Sequence, residues 1–248
     1  MNLQLRILAA RLRSRLSRRA APALTARKIL ADTAGRDLVE RFNDLSYRSG
    51  ASSGMEWRGL PLLKNPCDLW TLTDLLQRLK PRVIVETGTH WGASALYFAE
   101  MMALFQLPCV VITIDFNPKW TFDPATKSIH SLIGLSTDLA IVAQVDRKIG
   151  EVASKDDHVL VLLDSDHSRD NVLEEMRLYS RFVTPGSYLV VEDTNVNGHP
   201  SFPAHGPGPW EAVQEFLAST DAFEVDRDCE RFLLTFNPGG WLKRVKPL

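Results

Sequence analysis

Two periodicities alternate along the chain from about Trp70 onward. The segment "TLTDLLQRL" places apolar residues at helical spacing, and the β-branched run "RVIVETG" predicts a short strand ending at Gly88. The same alternation continues with "GASALYFAEMMALF" as a helix and "PCVVITIDF" as a buried strand. "HSLIG" is a weaker third strand, followed by a helix from about Thr137 to Arg147. A fourth strand, "HVLVLLDSD", leads to the helix "NVLEEMRLYSRFV" and then to a fifth strand, "SYLVVED". After a Gly- and Pro-rich loop from Asn195 to Pro209 comes the helix "WEAVQEFLAST". The end, "FEVDR" and "RFLLTF", reads as an antiparallel pair around a charged turn. Strands that are continuous apolar runs, alternating with helices, imply an α/β fold whose parallel sheet is covered on both faces. The closing pair adds an antiparallel edge.

The N-terminal segment follows a different rule. Leu5, Leu8, Leu12 and Leu16 stand about one helical turn apart with arginines between them, which predicts an amphipathic basic helix broken near Pro22. The first 28 residues carry Arg6, Arg11, Arg13, Arg15, Arg18, Arg19, Arg27 and Lys28 and no acid. Such a segment packs on its own domain or a partner subunit as a homo-oligomer contact, adsorbs to an anionic membrane surface, or stays a disordered arm. Residues 1–45 are therefore read as an extension and 46–248 as the main domain.

Composition narrows the function classes. The whole chain carries a net charge of −1, so no global field points to nucleic acid. Cys67, Cys109 and Cys229 are far apart and form neither a CxxC nor a CxxH pattern, and they read as reduced, buried thiols of a cytoplasmic protein. No apolar stretch approaches the roughly 18 residues that span a bilayer.

In open parallel sheets ligands sit beyond the carboxyl ends of the strands, so the polar residues there carry the functional reading. "VETGTHWGAS" offers Glu86, Gly88, Gly92 and Ser94: a glycine turn that admits a ligand and a helix start whose N–H groups can meet an anion. It lacks the GxGxxG spacing of a dinucleotide site. Asp115 ends "ITIDF", where a carboxylate can accept both hydroxyls of a ribose. Together the two motifs suggest an adenosine-containing cofactor without a pyrophosphate. Asp164 ends the fourth strand, and Glu192 and Asp193 end the fifth. Three converging carboxylates repel one another unless a cation lies between them, and all-oxygen ligation suits Mg²⁺, or Mn²⁺ and Ca²⁺, better than zinc. His167, three residues beyond Asp164, is the candidate general base. Asp166 orients His167 or caps the following helix. The 195–209 loop suits a lid or substrate wall, with His199, His205 and Trp210 facing substrate.

The stretch "LDSDHS…VLEEMRLYSRFVTPGSYLVVEDTNVNGHP…GPGPWEA", with "VETGTHWGASALYFA", resembles the cephalosporin hydroxylase/rhamnosyl O-methyltransferase family, a branch of the class I S-adenosylmethionine-dependent methyltransferases. The resemblance runs from about Trp57 to the C-terminus. It implies a Rossmann-like sheet of seven strands, mostly parallel with an antiparallel last strand. It also implies that Glu86, Gly88 and Ser94 line the methionine end of S-adenosylmethionine, that Asp115 binds its ribose, and that Ser136 of "GLSTD" flanks its adenine. Gly92 and Asp164 complete that cofactor set. By the same resemblance Asp164, Glu192 and Asp193 hold Mg²⁺ (or Mn²⁺), with His167 beside them. The stretch "DFNPKWTFDPATKSIH" departs from the family's pattern and is placed toward the acceptor.

The expected function is therefore metal-dependent O-methylation of a hydroxyl on a sugar, a rhamnosyl glycolipid or another polyol. A sulfonium already makes its methyl group electrophilic, so the protein must orient an oxygen nucleophile and take its proton. Two alternatives are a hydroxylase-type tailoring enzyme, disfavoured because iron oxygenases commonly use two His and one carboxylate, and a non-catalytic nucleotide- or metal-binding module.

Overall fold

The computed structural model describes residues 21–119, 121–123 and 128–246. Residues 21–31 are helical, and the chain bends at Asp32, whose side chain accepts from Gly35 N to cap helix α1 (Thr33–Arg48). The Leu5–Leu16 stripe lies outside the described residues. The expected break near Pro22 falls at the edge of the described residues, which begin at Ala21 with Pro22 already in a helix; the bend inside the described residues is at the Asp32 cap.

A short antiparallel pair, β1 (Glu56–Trp57) and β2 (Leu60–Pro61), precedes helix α2 (Pro66–Leu79). There Asn65 caps Cys67 N and Pro66 takes the first helical position, where its missing N–H costs nothing. Then come β3 (Val83–Thr87), α3 (Ala93–Leu104), β4 (Val110–Asp115), β5 (Ile129–Ile133), α4 (Leu139–Val152), β6 (Val159–Leu163), α5 (Arg169–Tyr179) and β7 (Tyr188–Val191). Helix α6 (Pro209–Ser219), β8 (Phe223–Val225) and β9 (Trp241–Arg244) close the chain. Helix α4 starts at Leu139 because Asp138 caps Ala140 N, and it runs on to Val152, past the predicted Arg147.

The seven-stranded sheet has the order β5-β4-β3-β6-β7-β9-β8, with β9 antiparallel to both neighbours and the remaining pairings parallel. This is the expected sheet, with one correction. The partner of "FEVDR" is Trp241–Arg244, not "RFLLTF". Residues 231–236 form no ladder because side chains of α1 and α2 take their backbone groups. Asn43 accepts from Thr235 N and donates to Leu233 O, and Asp68 accepts from Phe236 N.

Two apolar layers cover the sheet. One is built on Val85, Ile112, Val161 and Leu189 under α4, α5 and α6. The other is built on Ile84, Val111, Leu160 and Val190 under α2 and α3. Successive residues of one strand feed opposite layers, which is why each strand reads as an unbroken apolar run. Burying each such side chain contributes about 1.5–3 kcal/mol. Helix α1 docks on the C-terminal segment through Asn43 and an edge-on contact of Tyr47 with Phe236.

Register places the strand ends in one row. Thr87 pairs with Ile114 and with Leu163, and Leu163 pairs with Val191. The next residue of each strand extends the ladder: Gly88 N donates to Ile114 O, Asp164 N to Thr87 O, and Glu192 N to Leu163 O. The strand order reverses between β3 and β6, and ligand crevices open at such points.

Candidate active site

A cavity of about 500 Å³ lies along this row, lined among others by Gly88, Ser94, Asp115, Ser136, Asp164 and His167. Gly88 is held at φ +85°, and a Cβ there would sit 1.8 Å from the backbone oxygen of Asp164. The glycine is thus required by the close approach of the β6 end, not by a ligand alone. Gly92 caps α3 with φ +77°. Glu86 is fully buried and accepts from the Thr113 hydroxyl at 3.0 Å, while its Oε1 has no partner. Burial pushes the Glu86 carboxyl up to about 7, against the opposing pull of Lys64. Asp115 accepts from the backbone N–H groups of His90 and Asn117, each at 2.8 Å, so it closes its own turn and ties it to the loop after β3. Ser136 is buried, and its carbonyl accepts from the Tyr179 hydroxyl at 2.7 Å. The exposed Phe116 and Leu135 supply apolar wall on the same side.

The acids divide into two groups. One oxygen each of Asp164 and Asp193 and a ring nitrogen of His167 lie within 4.8 Å of one another. His167 Nε2 is 3.3 Å from Asp193 Oδ2 and 3.9 Å from Asp164 Oδ1. Glu192 does not join that trio. Its Oε2 lies 2.8 Å from the Lys64 ammonium, which also reaches Asp164 Oδ2 at 2.5 Å. Glu192 Oε1 is buried with no partner. Burial, then the neighbouring Asp164 charge, raises the Glu192 carboxyl, and burial likewise raises Asp193 against the pull of His167. For Lys64, burial disfavours the ammonium, but Asp164, Glu192 and Glu86 outweigh it and push its pKa up.

Lys64 is the residue that sequence reasoning misses. A lysine inside the apolar run "GLPLLKNPC" is a weak signal, and its acids lie 100 and 128 positions away. Asp166 accepts from Ser168 N at 2.8 Å and so shapes the turn into α5.

The 195–209 loop is tied down, not free. Asn197 and His199 both bond Glu211 Oε1, and Glu211 Oε2 accepts from Gly208 N at the start of α6. His199 stacks on Trp210 with ring centroids 4.0 Å apart. These two line a second cavity against α1, not the cavity beside Asp164. His205 does not line the cavity beside Asp164; its Nδ1 and the His167 carbonyl both stand 3.3 Å from where a Cβ on Gly208 would lie. Cys229 is buried as expected; Cys67 and Cys109 are only half-buried, and all three thiols are free. Within "DFNPKWTFDPATKSIH", Trp120 and residues 124–127 lie outside the described residues.

The strand order, the antiparallel β9 and the glycine turn after β3 define a class I methyltransferase fold. The family model described as rhamnosyl O-methyltransferase/CmcI matches residues 49–245, and the chain belongs to that family. It is accordingly an S-adenosylmethionine-dependent O-methyltransferase. It is 36% identical over 215 residues to the rhamnosyl O-methyltransferase of Mycobacterium tuberculosis, covering 84% of this chain and 85% of that one. The Mycobacterium leprae rhamnosyl O-methyltransferase is 35% identical over 212 residues, covering 84% and 90%. Among solved structures, CmcI in a form described as Mg-SAM superposes with a TM-score of 0.62 at 23% identity, covering 78% of each chain, and so shares the fold.

Proposed function

We propose that the protein transfers the methyl group of S-adenosylmethionine to a sugar hydroxyl in a divalent-cation-dependent reaction, with a rhamnosyl glycolipid as the favoured acceptor. The observation that carries this reading is the union, in one cavity, of the glycine turn with Asp164, Asp193 and His167. The rhamnosyl acceptor is taken from the names of the mycobacterial relatives.

The donor set fits a hard cation. Asp164, Glu192 and Asp193 offer oxygen only, and Glu192 Oε1 is a buried carboxylate oxygen with no partner, which is costly unless something cationic meets it. Mg²⁺ or Mn²⁺ bound by these acids would lower the pKa of an acceptor hydroxyl and orient it. His167 is the group that takes the proton. Its Nε2 lies 3.3 Å from Asp193 Oδ2, and a carboxylate at that distance stabilises the imidazolium that results. The single histidine of the cluster does not match the two-histidine pattern of iron oxygenases.

For the methyl donor, Gly88 and Ser94 line the cavity after β3 and Gly92 opens the helix that follows. Glu86, fully buried in β3 with Oε1 unpartnered, does not line it and would act from behind that wall. Asp115 keeps lone pairs for ribose hydroxyls beyond its two backbone bonds. Ser136 and the neighbouring apolar wall suit the adenine, and Asp164 closes the set. The basic N-terminal segment suits contact with the membrane that holds a glycolipid, or contact between subunits; among the described residues no helix is long and apolar enough to cross a membrane.

The test is direct. Protein incubated with methyl-labelled S-adenosylmethionine, Mg²⁺ and rhamnosyl glycolipid should place label on a rhamnose oxygen, identified by mass spectrometry. Label on no sugar or polyol, from protein shown to bind the donor, would overturn the reading.

A further inference from the structure

Lys64 has no part in the chemistry assigned above, yet its side chain is only 2% exposed. A buried ammonium persists only with charged partners. It has two, Asp164 Oδ2 at 2.5 Å and Glu192 Oε2 at 2.8 Å, and Glu86 and Asp193 also feel its charge. Each partner is divided between two tasks. Asp164 gives Oδ2 to Lys64 and leaves Oδ1 on the side of His167. Glu192 gives Oε2 to Lys64 and leaves Oε1 unpaired.

The position of Lys64 is fixed by its surroundings. Its backbone N–H donates to Leu62 O at 2.9 Å, the next residue caps α2, and Pro66 follows at once. Four acids stand around this one ammonium, and it reaches only two of them, Asp164 and Glu192, within ion-pair distance.

We propose that Lys64 is the resident counter-cation of the acid cluster. It holds one oxygen of each of two acids, keeps the cluster assembled before a metal arrives, and weakens the cluster's grip on that metal. The inference rests on the divalent-cation reading above. Two effects of removing Lys64 compete. Lost orientation of metal-binding carboxylates costs about 10–100-fold in affinity. Repulsion between the ammonium and a divalent cation held by the same acids, at an effective dielectric of about 20, would correspond to roughly 10³-fold or more in the other direction. The repulsion wins, so removing the ammonium should tighten metal binding.

The experiment compares wild type, Lys64→Gln and Lys64→Arg after chelation and after addition of Mn²⁺. Calorimetry reads the melting temperature, and electron paramagnetic resonance counts free Mn²⁺. Metal-free Lys64→Gln should melt about 10 °C below wild type, because buried Glu192 and half-buried Asp164 lose their shared partner. Saturating Mn²⁺ should restore most of that loss, and its dissociation constant should tighten at least tenfold. Lys64→Arg, which keeps the charge, should stay within a few degrees (about 3 °C) of wild type without metal. This variant keeps the test decisive if Lys64→Gln folds only with Mn²⁺ present. A purely structural ion pair would give a low melting temperature that Mn²⁺ does not restore, and that result overturns the proposal. So does unchanged or weaker Mn²⁺ binding by Lys64→Gln. Wild type that binds no Mn²⁺ would instead overturn the divalent-cation reading and the counter-cation role with it.

Discussion

Asp115 at the end of β4 and the acids at the ends of β6 and β7 are the same kind of residue on the same edge of the same sheet. Their surroundings make them chemically different. Asp115 is half-buried and bonded by two backbone N–H groups of nearby turns, so neutral donors satisfy it in place. Asp164 and Glu192 share a buried ammonium from a loop a hundred residues upstream, and Asp193 faces an imidazole. Acids served by backbone amides suit neutral partners such as hydroxyls; acids crowded together and short of positive charge suit a cation. What the approaching loops deliver decides between the two, not the strand ends themselves.

The sharpest way to separate the regions is His167→Ala, which touches only the β6–β7 corner. Turnover should fall about 10²–10⁴-fold while donor binding, read by calorimetry, stays near the wild-type value. Unchanged turnover would remove His167 from the reaction. Gly88→Ala strikes the seam between the regions, because the added Cβ meets the Asp164 carbonyl and the backbone has φ +85°. It should cost about 2–5 kcal/mol in urea denaturation and weaken donor binding as the β3 and β6 ends part.

Asp115→Ala addresses the other side alone. Losing two acceptor bonds to the turn and those offered to a ribose should raise the donor's dissociation constant about 10–100-fold. Binding of Mn²⁺ should be unaffected, and a change there would erase the distinction between the regions. The smallest effect belongs to Glu211, which anchors the loop beyond Asp193. Burial works against its ionisation, but the Gly208 N–H, Asn197 and His199 hold it down at about 2, below its ordinary 4.5. A carboxylate lowered by folding adds stability that is fully present above pH 4.5 and lost as the pH falls toward 2. Glu211→Gln should remove about 1–2 kcal/mol of that acid-limb loss, a figure reduced for the partial exposure of the side chain. Identical acid limbs in variant and wild type would contradict the anchoring role.

Much of this was legible in the chain. The parallel sheet followed from unbroken apolar strands, and the strand-end acids could be named because parallel sheets put their crevice at the carboxyl edge. What could not be read was anything set by contacts between distant loops. Lys64 is one case, since nothing near it in sequence is acidic apart from Asp68, and its partners arrive only through folding. The closing strand is another. "RFLLTF" has the composition of a strand, but Asn43 and Asp68 take its backbone groups, and the less conspicuous "WLKR" pairs instead. Gly88 was read as making room for a ligand, whereas the nearest obstacle to a side chain there is the protein's own backbone. The 195–209 loop reads as a lid or substrate wall with His199 and Trp210 toward substrate, whereas those two side chains line a separate cavity and the loop is bonded to Glu211 of α6.

The central claim is that the acids at the ends of β6 and β7 form a divalent-cation site. Calorimetric titration of Mn²⁺ into chelated wild type and into Asp164→Asn tests it most directly. The account predicts one ion per wild-type chain and binding at least about tenfold weaker in the variant, since a charged oxygen ligand is replaced by a neutral one. Equal binding in the two proteins, or none in wild type, would contradict it.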